Sequence, residues 1–239
     1  MPAVPEHAPV SPVALVTGAS QGLGLALTRA LAADGWHVVV DARNADTLHR
    51  AVGGLDRVSA VPGDVTDPDH RIALAAAVTS AGHLDLLVHN ASALGPSPLP
   101  ALADHPLDAL RRVYEVDVLA PLALTQLLLP ELRRSRGVLV AVSSDAAVEA
   151  YEGWGGYGSA KAALDRLTAV LAVENPGLRV YAVDPGDMNT AMHQAAFPGE
   201  DVTDRPAPAT VVPALLRLAR GELPSGRYRA ADLLAELVG

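Results

Sequence analysis

Of the eighteen basic residues in this chain only one is a lysine, and it stands in a specific place. Lys161 follows Tyr157 by four residues in "GGYGSAKAAL", residues 155 to 164. On a helix that spacing puts both side chains on one face. An ammonium beside a phenol favours the phenolate, so the pair is expected to lower the phenol pKa from its usual value near 10. A guanidinium is also cationic, but it is bulkier and planar, whereas a compact ammonium donates in three directions at once. A solvated surface pair would have been served by arginine, the residue used at every other basic position. Thirteen residues before the tyrosine lies Ser144, at the end of the apolar run in "AVSSDAA".

A second group of residues suits a nucleotide. "TGASQGLG", Thr17 to Gly24, follows one apolar run and opens a helix-like stretch. Glycines there let the backbone approach a pyrophosphate, and a helix N-terminus offers free N–H donors and a partial positive charge. The spacing is Gly-x-x-x-Gly-x-Gly rather than the general Gly-x-Gly-x-x-Gly fingerprint. The next run ends "VVVDARN". A carboxylate beyond this strand reads a free ribose 2′-hydroxyl and an arginine reads a 2′-phosphate; Asp41 and Arg43 supply both signs, and strand register decides which faces the ribose. "PGDVTD" places Asp64 where it could accept from an adenine amino group or cap the helix beginning near Pro68, for which Asp67 is the better placed cap. "HNASA" supplies small residues across which a cofactor can lie.

The elements that must position these groups follow from the hydrophobic pattern. Short apolar runs bounded by turn residues recur at 13 to 18, 37 to 43, 57 to 64, 84 to 92, 137 to 144 and 178 to 186, each reading as a strand buried on both faces. Between them lie helical stretches, including one long helix over 107 to 134 and "GYGSAKAALDRLTAVLAVE". Regular alternation predicts right-handed crossovers and a Rossmann-like, doubly wound α/β fold. A seven-stranded parallel sheet with helices on both faces is expected, with the seventh strand near "SGRYRA", 225 to 230. In such a sheet the serine and the glycine-rich turn share the ligand-binding edge.

The 239 residues suit one domain over 13 to 239, preceded by a loose, proline-rich tail over 1 to 12. The stretch 187 to 210 is read as a substrate lid, because Met188, Met192 and Phe197, the one phenylalanine, are not what a solvated linker needs. A net charge of −9 without a basic stripe argues against nucleic acid and acidic membrane surfaces. The apolar run from Val118 to Leu132 is too short for a bilayer and reads as a buried helix. The absence of cysteine, with an N-terminus unlike a signal peptide, suits the cytoplasm and leaves no thiolate metal site.

Taken together and in order, "TGASQGLG", "GDVTD", "HNAS", "VSS" thirteen residues before "YGSAK", and "DPGDMNT" resemble the short-chain dehydrogenase/reductase family of the compact single-domain type, over about residues 13 to 230. The resemblance implies that Tyr157 is the general acid or base on a carbonyl or alcohol and that Ser144 holds the substrate oxygen. It gives Lys161 the tasks of lowering the tyrosine pKa and binding the nicotinamide ribose, while hydride moves between C4 of the nicotinamide and the carbonyl carbon. It also implies a cofactor site of Gly18, Ser20, Gln21, Gly22, Leu23, Gly24, Asp64, Val65, Asn90, Ala91, Pro185, Gly186 and Thr190, with Tyr157 and Lys161 at its nicotinamide end. Ala42 falls where NAD-preferring members carry an acid and Arg43 where NADPH-preferring members often carry arginine, which favours NADPH, with NADH possible.

One residue departs from the family. Its usual asparagine, in a Val-Asn-Val setting and thought to hold a water linking the lysine to solvent, is Asp117 here, in "EVDVLAP". An aspartate accepts from such a water but cannot donate as an amide does. Two outcomes are open: Asp117 pairs with Lys161 and screens it from Tyr157, or it makes a structural hydrogen bond to a neighbouring helix.

The leading expectation is an NADPH-dependent ketone or aldehyde reductase; the alternative is a dinucleotide-binding sensor or partner subunit without turnover. Asp145, Glu149, Glu152, Trp154 and Asp187 suit a cationic or polyhydroxylated substrate, but acids on loops are also simply solvated. Apolar residues over more than one face of the 107 to 134 and 157 to 174 helices point to a homodimer or homotetramer.

Overall fold

Strands of valine and leucine buried along their whole length need cover on both sides, and the chain supplies a helix after nearly every strand. The computed structural model describes residues 11–238. Its elements are β1 (Val13–Val16), α1 (Gly22–Ala33), β2 (His37–Val40), α2 (Ala45–Val52), β3 (Val58–Ala60), α3 (Pro68–Ala81), β4 (Leu86–His89), α4 (Leu107–Tyr114), α5 (Ala120–Ser135), β5 (Val138–Val142), α6 (Gly155–Glu174), β6 (Arg179–Asp184), α7 (Ala191–Ala196), α8 (Val212–Ala219), β7 (Gly226–Arg229) and α9 (Ala230–Val238). The seven strands form one sheet in the order β3-β2-β1-β4-β5-β6-β7. Every neighbouring pair is parallel, including β6 with β7. Most of the expected tail, residues 1–10, lies outside the described residues.

Because side chains alternate along a strand, each strand feeds two cores. Val16, Val40, Val88 and Val140 pack with Leu27 of α1, Leu48 of α2, Leu215 of α8 and Leu233 of α9. Leu15, Val39, Leu87 and Leu139 pack on the other face with Leu74 of α3, Leu128 of α5 and Leu164 of α6. Strand order reverses between β1 and β4, and the crevice beyond their carboxyl ends is the ligand site of a doubly wound sheet.

The helix expected over 107 to 134 differs in one respect that matters for function. Between α4 and α5 the backbone forms a π turn over Glu115–Leu119, in which Val116, Asp117 and Val118 are buried. A π turn adds one residue to the helical repeat and so re-aims side chains that an unbroken α-helix would present elsewhere. The continuous segment from 107 to 135 is long and apolar enough to cross a bilayer, yet half of its apolar window is buried inside this fold. The 187–210 stretch is likewise not an irregular loop: it carries α7, capped by the Thr190 hydroxyl accepting from His193 N, and a short 3-10 turn at Pro208–Thr210.

Candidate active site

The glycine-rich turn is built by hydrogen bonds across the strand reversal. Thr17 Oγ1 accepts from the backbone N–H groups of Asn90 and Ala91, both at 3.0 Å. The Asn90 amide donates to the carbonyls of Thr17 at 2.8 Å and Gly18 at 3.1 Å. Gly18 adopts φ +69° and Gly22 φ +58°, conformations that favour glycine. Gly24 is required by contact, since a Cβ there would lie 2.4 Å from the Asn90 amide nitrogen. Gly24 and Asn90 therefore shape the turn. Gln21 gives α1 no side-chain cap, leaving the helix N–H groups open to a ligand.

A cavity of about 810 Å³ runs from this turn to the tips of β5 and β6. It takes in every residue expected to bind cofactor except Gly24, and every expected catalytic residue except Asp117. Its far corner is lined by Arg29, Arg43 and Asn44. Both arginines are exposed. Arg29 had no signal in the sequence, because only the packing of α1 beside β2 brings it there. The register question is settled as well: Asp41 is 1% exposed, its Oδ1 accepting from Gly18 N at 2.7 Å and its Oδ2 meeting His70 Nε2 at 3.1 Å. Arg43 is exposed at this corner of the cavity, whereas Asp41, which also lines it, turns its carboxylate inward.

Asp64 lines the cavity, but Thr66 N, Thr66 Oγ1 and Arg112 all donate to its carboxylate. Burial works against the charge, yet these donors hold the carboxyl below its usual range. Asp67 is the residue that caps α3.

At the other end Ser144, Tyr157 and Lys161 come together. Lys161, 2% exposed, donates from Nζ to the Val142 carbonyl at 2.9 Å and lies 5.5 Å from the Tyr157 ring centroid. Asp117 Oδ2 is 3.7 Å from the same nitrogen. Asp117 is fully buried; Oδ1 accepts from Ala93 N at 2.7 Å and Oδ2 from Ser92 Oγ at 2.9 Å. All of these polar neighbours are donors, the setting of an ionised carboxylate. Of the two open readings, Asp117 faces the ammonium as the first expects; the second is corrected, because its hydrogen bonds go to the 92–93 segment and not to a neighbouring helix.

The pKa of Tyr157 runs opposite to the expectation. Burial raises it most, Lys161 pulls it down, Asp117 raises it again, and the balance lies above the ordinary phenol value. Desolvation of the phenolate outweighs the ammonium, whose field the Asp117 carboxylate partly cancels. Burial alone would lower the Lys161 pKa, but Asp117 and then Tyr157 raise it, so the side chain stays charged. Burial pushes the Asp117 carboxyl up, with Lys161 and the Ala93 and Ser92 donors pulling back. Behind the lysine, His89 is buried against Thr125 Oγ1 at 2.8 Å and is pushed down to about 3 by burial and then Lys161, which keeps it neutral.

Ser144 Oγ donates to Asp145 Oδ1 at 2.9 Å. Its carbonyl accepts from Arg227 Nη2 at 2.8 Å, and Arg227 also pairs with Asp165 at 2.9 Å, so the edge strand β7 pins the serine loop. That role has no local signature. Asp184 Oδ1 accepts from Gly186 N at 3.0 Å and sets the Pro185–Gly186 turn. Above the tyrosine, Leu94, Trp154 and Met192 make an apolar chamber of the cavity, with Phe197 packed behind them. Trp154 meets Tyr157 edge-on at 5.7 Å and Phe197 at 5.9 Å. Ser97 Oγ donates to the Ala195 carbonyl at 2.7 Å, seating α7 over the chamber. Of the acids near the serine, Asp145 and Asp187 line the cavity, whereas Glu149 and Glu152 point to solvent.

A hydroxyl, a phenol and an ammonium facing an open dinucleotide-sized cleft at a strand reversal define an oxidoreductase. The short chain dehydrogenase family model matches residues 12–201. The chain belongs to the short-chain dehydrogenase/reductase family. It is 37% identical over 194 residues to dehydrogenase/reductase SDR family member 4 of Bos taurus, covering 77% of this chain and 68% of that protein. It is 33% identical over 205 residues to the 2-(R)-hydroxypropyl-CoM dehydrogenase of Xanthobacter autotrophicus, covering 82% of each. A short chain dehydrogenase from Shigella flexneri, solved with NADP, superposes with a TM-score of 0.86 at 30% identity, over 92% of this chain and 97% of that one.

Proposed function

We propose that this oxidoreductase is an NADPH-dependent ketone or aldehyde reductase. The observation that carries the reading is one cavity with Arg29 and Arg43 at one end and Ser144, Tyr157 and Lys161 at the other. The residues present fit the dinucleotide: open N–H groups at α1 for the pyrophosphate, two exposed guanidiniums for a 2′-phosphate, and small residues at 90 to 93 for the nicotinamide side. When bound, the nicotinamide supplies a hydride to the carbonyl carbon.

The chain's own groups supply the rest. Ser144 turns its proton from Asp145 to the carbonyl oxygen and holds it. Tyr157, kept neutral by burial, donates its proton to that oxygen as charge develops there, which completes the alcohol. Lys161 stays charged and stabilises the phenolate left behind. Leu94, Trp154 and Met192, backed by Phe197, exclude water from this step and favour a substrate with an apolar body. Two features support a secondary alcohol or its ketone as the substrate pair: this chamber, and the likeness to the 2-(R)-hydroxypropyl-CoM dehydrogenase of Xanthobacter autotrophicus. Against a sensor without turnover stands the complete serine, tyrosine and lysine set.

Exposed apolar residues on the α5 and α6 side, Leu119, Leu127, Val170 and Val173, support pairing of two copies through these helices. The decisive assay follows absorbance of NADPH and of NADH over a panel of ketones and aldehydes with purified protein. Turnover of at least one carbonyl with NADPH preferred supports the reading, and cofactor binding without turnover across the panel defeats it.

A further inference from the structure

The best-defined polar cluster outside the reacting groups lies at the tips of β2 and β3. Asp41 lines the cavity together with Ala42 and Arg43, yet it is 1% exposed and its carboxylate is turned onto Gly18 and His70. Gly18 N and His70 Nε2 are its two donors, and a carboxylate accepts only, so the His70 proton resides on Nε2. His70 is buried at the start of α3, and its ring fits because residue 63 has no side chain: a Cβ at Gly63 would lie 2.1 Å from His70 Nδ1. Gly63 N in turn donates to the Ala42 carbonyl at 3.0 Å. Glycine, histidine and aspartate thus form one lock, with the histidine as its bolt.

Released from His70, a buried carboxylate would have one donor left and a polar cavity beside it. Water and ribose hydroxyls are then its better partners. At that corner a free carboxylate accepts from a 2′-hydroxyl and repels a 2′-phosphate. We propose that His70 is a positioning residue for cofactor choice: by holding Asp41 inward it leaves the ribose corner to Arg43 and Arg29 and so sets the preference for the phosphorylated dinucleotide. This rests on the NADPH preference proposed above.

The test is calorimetric titration of NADP+ and NAD+ into the wild type and into His70→Leu, His70→Gln, Gly63→Ala, Asp41→Asn and the His70→Leu, Asp41→Asn pair. Wild type is expected to bind NADP+ more tightly. His70→Leu and Gly63→Ala should each cut the NADP+ over NAD+ affinity ratio on the order of tenfold, the scale of one like-charge contact near a surface. His70→Gln keeps an amide donor and should restore most of the ratio. The double variant has no carboxylate to release and should return toward wild type. Asp41→Asn alone should leave the ratio unchanged, because the inward carboxylate does not face the ribose, and this arm stands even if the leucine variant fails to fold. A wild type favouring NADP+ whose ratio His70→Leu does not move, or a ratio raised by Asp41→Asn alone, overturns the lock and leaves the NADPH reading standing. A wild type favouring NAD+ overturns both.

Discussion

Replacing Asp117 by asparagine tests the electrostatics of the site most directly. The carboxylate lies 3.7 Å from Lys161 Nζ, which is 5.5 Å from the Tyr157 ring centroid. The two distances together put the carboxylate within about 9 Å of the ring, where at an effective dielectric near 20 it disfavours the phenolate by about 1.8 kcal/mol. The ionised carboxylate therefore holds the tyrosine pKa up, and the amide should lower it. Reduction needs Tyr157 protonated, so its rate is full below this pKa and falls as pH rises through it. Oxidation of the alcohol needs the phenolate and rises through the same pKa. Both limbs should move together to lower pH in Asp117→Asn. The amide oxygen can still accept from Ala93 N, so the 92–93 segment should keep its place and cofactor affinity should change little. The assay is the pH dependence of kcat/KM in both directions, with cofactor titration alongside. Limbs that stay in place while the melting temperature drops would show that Asp117 only ties the π turn to residues 92–93, and would refute the electrostatic argument.

Tyr157→Phe should lower turnover by roughly 10²- to 10⁴-fold, the worth of a general acid, while the NADPH dissociation constant changes little. Lys161→Arg should also lose most activity, because the side chain is 2% exposed and a planar guanidinium does not fit the space between Val142, Asp117 and Tyr157; near-normal rates would undo the argument from the lone lysine. Arg43→Ala should weaken NADPH on the order of tenfold and NADH hardly at all, as expected for one charge-assisted contact. Val173→Glu, at a position 82% exposed in the described chain, should reduce the molar mass measured by light scattering if α6 carries the subunit contact, and an unchanged oligomer would place that contact elsewhere.

What was legible in the sequence were features carried by neighbouring residues. Valine runs ending in glycine or aspartate marked the strands, and the tyrosine-to-lysine spacing marked one helix face. Features that depend on groups far apart in the chain were not. The π turn that aims Asp117 inward resembles ordinary helix in composition. The inward turn of Asp41 depends on His70, twenty-nine residues away. Arg227 reaches the serine loop from the edge strand, eighty-three residues on. The upward shift of Tyr157 is not legible either, because adjacency to a cation is visible in a sequence, whereas desolvation is a property of everything packed around the ring.

The solitary lysine also determines how the molecule meets amine-directed chemistry. Its one ε-amine is 2% exposed, so acylating or carbonyl cross-linking reagents find no lysine on the outside of the fold. Lys161 lies at the floor of the cleft, so its modification requires a reagent to reach that floor, and the labelling rate of this single nitrogen reports access to it. The same scarcity makes aldehyde supports poor at capturing the protein through lysine side chains, while any capture that does occur through Lys161 consumes the catalytic ammonium.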